Sequence, residues 1–62
     1  MSRGRAIAAV RKATDAVQNA SHQYFAMAEF GSTREIRAAY NAFWAAVARL
    51  RSAGDAYDKV AP

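Results

Sequence analysis

Apolar residues recur at alternating spacings of four and three along almost the whole chain, which is the signature of a helix burying one face against a neighbour. In the first half the series is Ala6, Val10, Ala13, Val17, Ala20, Tyr24 and Met27. In the second it is Ile36, Tyr40, Phe43, Val47, Leu50, Gly54, Tyr57 and Ala61. Helix breakers are few: Gly4, Gly31, Gly54 and the terminal Pro62. The pattern predicts two helices, over about 5–30 and 33–60, joined by a turn at Gly31 and Ser32. Gly31 suits the left-handed residue that closes many helices. Ser32 with Glu35 three positions on forms a capping box, each side chain satisfying the other's backbone amide. Glu35 also places a negative charge in the first turn, where the helix dipole favours it.

A turn this short sends the second helix back antiparallel to the first. Folding at Gly31 then sets Met27 against Ile36, Tyr24 against Tyr40, Ala20 against Phe43, and Val17 against Val47. The layers continue as Ala13 with Leu50, Val10 with Gly54, and Ala6 with Tyr57. Small residues tend to oppose large ones, as interdigitated packing requires. The expected fold is all-α, an antiparallel two-helix hairpin occupying residues 1–62 as a single unit.

Composition shows what such a hairpin lacks. Alanine supplies 17 of the 62 residues, which favours helix but adds little buried area. There is no cysteine and only one histidine, so a disulfide or a zinc site cannot stabilise the fold. A chain this short usually needs a partner instead. Phe25, Phe30 and Trp44 fall outside the seam, as do Ile7 and Val60, and Ala39, Ala46 and Ala53 flank it on the second helix. Phe25, Phe30, Trp44, Ala39 and Ala46 are therefore the candidate protein interface. The expected assembly is a homodimeric four-helix bundle or a higher oligomer.

The net charge is +4, and in the hairpin all of it falls at the open end, because Arg34, Arg37, Glu29 and Glu35 cancel at the turn. Arg3, Arg5, Arg11, Lys12, Arg49 and Arg51 are the candidates for binding a phosphate backbone or another anion. The alternative is a solvated basic face, with Arg11–Asp15 and Asp55–Lys59 as ordinary pairs one turn apart. His22 lies on the outer face, two turns from both Asp15 and Glu29. No nucleophile–base set, phosphate loop or paired carboxylates can be recognised, so no enzymatic activity, cofactor or metal is implied. No run approaches the length of a membrane-spanning helix, and a cytoplasmic protein is expected.

No family is recognised from the residues. By architecture alone the expected dimer resembles the small plasmid-encoded, RNA-binding dimers of helical hairpins of the ROP type. The expected function is that of a non-enzymatic interaction protein, of the kind phages and plasmids encode as inhibitors or regulators. It would pair with itself and bind a macromolecular target, protein ahead of nucleic acid. A structural subunit of a larger assembly is the third alternative.

Overall fold

In the computed structural model, which describes residues 2–61, the chain is two helices and a two-residue turn. Met1 and Pro62 lie outside the described residues. Helix α1 runs Arg3–Phe30 and helix α2 runs Thr33–Val60. Twenty-eight residues rising about 1.5 Å each make a rod of about 42 Å, and the molecule measures 46 × 13 × 12 Å. It is thus one helix long and two helices wide, with α1 and α2 packed side by side.

Each helix start has a specific cause. At α1 the Ser2 hydroxyl accepts from the Arg5 amide at 3.2 Å, so the helix begins at Arg3, three residues before the apolar periodicity does. At α2 the capping box is complete: the Glu35 amide donates to Ser32 Oγ at 3.2 Å, and the Ser32 amide donates to Glu35 Oε1 at 3.0 Å. The second bond is stronger to an ionised carboxylate, and together with the Ser32 side chain it holds the Glu35 pKa below its ordinary 4.5.

The turn corrects the expectation of a left-handed glycine. Gly31 sits at φ −89° and ψ 164°, a backbone any residue can adopt. What requires glycine there is space. Its amide donates to the Met27 carbonyl at 2.7 Å, and a Cβ at this position would lie 2.7 Å from that same oxygen. Glycine is fixed here by a close approach of backbone to backbone.

The seam corrects a second expectation. On α1 the anticipated stripe is at least partly buried throughout, with Ala6 and Ala13 deepest. On α2 the half of the stripe at Ile36, Phe43, Leu50 and Tyr57 is partly buried as expected. At the remaining positions Val47 and Gly54 are partly buried as expected, but the deepest residues are the neighbouring Ala39 and Ala46, and Tyr40 stays 46% exposed. Helix α2 is therefore rotated so that Ala39, Ala46 and Ala53 turn toward α1. Each helix carries alanine every seventh residue on its inner face, Ala6, Ala13 and Ala20 on α1 and Ala39, Ala46 and Ala53 on α2. Short side chains let the backbones approach closely, and the bulkier neighbours are displaced to the edges. Thr14, also near the seam, satisfies its hydroxyl by donating to the Val10 carbonyl at 2.8 Å.

The consequence is a thin core. The only buried residues among those described are Ala6, Ala13, Ala39 and Ala46, and no large side chain is fully enclosed. The radius of gyration is 14.1 Å, against about 10.6 Å for a compact chain of this length. The chain exposes 4861 Å², against roughly 3,900 Å² for a compact monomer of its mass.

Two outcomes follow from the seam. Ala46→Leu should lower the thermal midpoint by an amount equivalent to about 1–3 kcal/mol, because Ala46 is only 6% exposed and the added volume must push its neighbours aside. Gly54→Ala should raise it by about 0.5–1 kcal/mol, since a Cβ there meets nothing within 4 Å. Helix melting followed by circular dichroism reads both.

The capping box gives a pH dependence with a definite sign. Because the folded-state pKa of Glu35 is lowered, its stabilisation is fully present above the unfolded value and is lost as pH falls through the folded one. Melts between neutral pH and pH 3 should show wild type losing stability on acidification more steeply than Glu35→Gln. Parallel curves would remove the box from the pH response.

Candidate interaction surface

Five aromatic rings join into one cluster in the half of the hairpin nearer the turn. Tyr24 projects from α1 and meets Tyr40 of α2 edge-on, with ring centroids 5.8 Å apart at 63°. It also stacks beside Phe43 at 6.5 Å and 28°. Trp44 extends the cluster along α2, 5.3 Å from Phe43 and 6.1 Å from Tyr40. Phe25 extends it along α1, 6.3 Å from Tyr24. Edge-to-face geometry of this kind is favoured by the ring quadrupoles. The expected facing of Tyr24 and Tyr40 across the hairpin is present.

Only part of this cluster is covered. Tyr24 and Phe43 are half-buried, whereas Phe25 is 67% exposed, Trp44 51% and Tyr40 46%. The inner rings fix the outer three in place and leave them facing solvent side by side. Tyr40 is the member that heptad counting assigns to the seam. Its signal in the sequence was the one-turn spacing to Trp44, which puts both rings on the same side of α2. Phe30 is 81% exposed at the end of α1 and makes none of the ring contacts found in the cluster.

The two small candidates sit elsewhere. Ala39 and Ala46 are each 6% exposed, covered by α1 within the same chain. They are internal packing residues, because the rotation of α2 turns the alanine line inward. On that side a groove of about 460 Å³ between the helices is lined by Ala13 and Ala53 of the inward lines and by Ala9, Ala16 and Ala56 beside them, with Lys12 and Arg49.

The six basic candidates, Arg3, Arg5, Arg11, Lys12, Arg49 and Arg51, are all exposed in the half toward the open end, but they do not form one patch. Lys12 and Arg49 border that small-residue groove. Arg11 belongs to a different groove, of about 360 Å³, with Ile7, Val10 and Tyr57. Arg51 lies in a third, of about 310 Å³, with Trp44, Val47 and Ala48. Arg3 and Arg5 occupy the first turn of α1. The charge surrounds the end of the rod.

His22 and the carboxylates are exposed, and no cluster of three or more metal-ligating side chains occurs among the described residues. No described helix is long and apolar enough to cross a membrane. The chain matches no protein-family model, no curated protein and no solved structure.

Proposed function

We propose that this chain is a non-enzymatic interaction protein that works by protein–protein contact through the face carrying Phe25, Tyr40 and Trp44. The observation that carries the reading is the linked ring cluster, held from within by Tyr24 and Phe43 and open on its outer side. Contiguous exposed aromatic surface costs solubility, and where it persists it marks a binding site. Tryptophan and tyrosine are the residues that concentrate binding energy at protein interfaces. A rod two helices thick provides no enclosed space from which a reaction centre could exclude water. By binding through this face the protein would modulate or block its target.

The test is capture of proteins from a lysate of the source organism at high salt, comparing wild type with the double variant Phe25→Ser and Trp44→Ser. Both positions are on exposed helix surface, so helicity should be retained. Wild type should hold its partner in about 0.5 M salt, where exposed charge pairs are screened beyond a few ångströms, and the variant should release it. A partner held equally by both proteins would exclude this face as its binding site.

The distribution of charge supports a second reading, binding of a nucleic-acid backbone by Arg3, Arg5, Arg11, Lys12, Arg49 and Arg51 at the open end. Titration of a labelled oligonucleotide at several salt concentrations separates the two. Backbone binding should give log K falling against log salt with a slope of about −0.9 per phosphate contacted on duplex DNA. Absence of binding at low salt would leave the basic end to solubility alone.

A further inference from the structure

We propose that the occupant of the aromatic face is a second copy of this chain, packed antiparallel and in full overlap, with α2 on α2 and α1 on α1. The inference rests on the reading that this face binds protein. It is carried by self-complementarity along α2. At 100° per residue, Arg37, Tyr40, Trp44, Ala48, Arg51 and Asp55 all lie within about 40° of Trp44, forming one line along the helix. All six are exposed. Reversing this line against itself about a two-fold axis level with Ala46 brings Arg37 opposite Asp55 of the second copy. Tyr40 comes opposite Arg51, and Trp44 opposite Ala48. Charge meets opposite charge, a ring meets a guanidinium, and the largest side chain meets one of the smallest. Trp44 and Ala48 already border one groove of about 310 Å³, open for the second Trp44.

Helix α1 gives the same register independently. The level of Ala46 on α2 corresponds to Val17 on α1, each about 21 Å from the turn at 1.5 Å per residue. Reversal about that level places Phe25 of one copy over Ile7, Val10 and Arg11 of the other. Those residues, with Tyr57, form the groove of about 360 Å³ at the open end. Phe25 is two-thirds exposed and aligned with Ile7 on the same side of α1. An exposed ring and an open apolar groove thus coincide in a register chosen from α2 alone.

Charge agrees. Antiparallel overlap separates the two basic open ends by the length of the rod. The parallel arrangement would bring them together.

The test is a charge-reversal cycle read by sedimentation equilibrium, with circular dichroism confirming helicity. Arg37 and Asp55 are about 27 Å apart within one chain, well beyond a Debye length of about 10 Å at 0.1 M salt. Any coupling between them must therefore act between chains. Arg37→Asp and Asp55→Arg should each weaken the dimer about tenfold, since two symmetric pairs turn repulsive. The double variant should return to within about twofold of wild type. A dimer whose double variant shows no recovery overturns the antiparallel register. A wild type that is a folded monomer at every concentration overturns the second copy as occupant. In that case the lysate experiment still decides separately whether the face binds another protein.

Discussion

The burial of short alanine side chains between α1 and α2 is the constraint on which the rest of the structure depends. Ala6 and Ala13 on one helix and Ala39 and Ala46 on the other are the residues removed from water most completely. Their short side chains allow two long helices to approach without interdigitating bulky groups. The same shortness limits how much apolar surface the seam can bury. Burial scales with area, and a methyl group supplies little of it. A hairpin held this way is well ordered locally, through capping and helix propensity, while remaining poor in hydrophobic stabilisation.

The large side chains are placed by that economy. Once the alanine lines occupy the seam, Tyr40, Trp44 and Phe25 have no room inside and lie along one flank. They are not loose there, because Tyr24 and Phe43 support them from below. A surface aromatic with a fixed orientation is a better binding element than a mobile one, since little rotamer entropy remains to be lost on association. The thin core and the aromatic face are therefore two results of one packing choice. The charge distribution follows a different logic. With acids and bases balanced near the turn and bases in excess at the open end, the molecule is polarised along its length. This favours arrangements that keep like ends apart and positions the open end for anions.

Much of the architecture was legible in the order of residues. The two helices, their break at Gly31 and Ser32, and the capping box formed by Ser32 and Glu35 all follow from local rules that act over three or four positions. Such rules survive folding because their partners are neighbours in sequence. The early start of α1 depended on Ser2, whose cap lacks the reciprocal acid that makes Ser32 conspicuous. At Gly31 the residue type was readable but its reason was not. The sequence suggested a left-handed backbone, whereas the structure shows an extended one pressed against the Met27 carbonyl.

By itself, then, the sequence determined a helical hairpin, its turn, and an apolar surplus beyond what one seam can use. Only the tertiary structure decided which side of α2 faces inward. Two stripes on that helix share Ile36, Phe43, Leu50 and Tyr57 and differ by one position in between, one running through Tyr40 and Val47, the other through Ala39 and Ala46. Periodicity cannot separate them, because both have the same spacing. The choice is made by how closely two backbones can approach, a property of both helices at once. It settles whether Ala39 or Tyr40 is spent on the core, and so which residues are left to meet a partner.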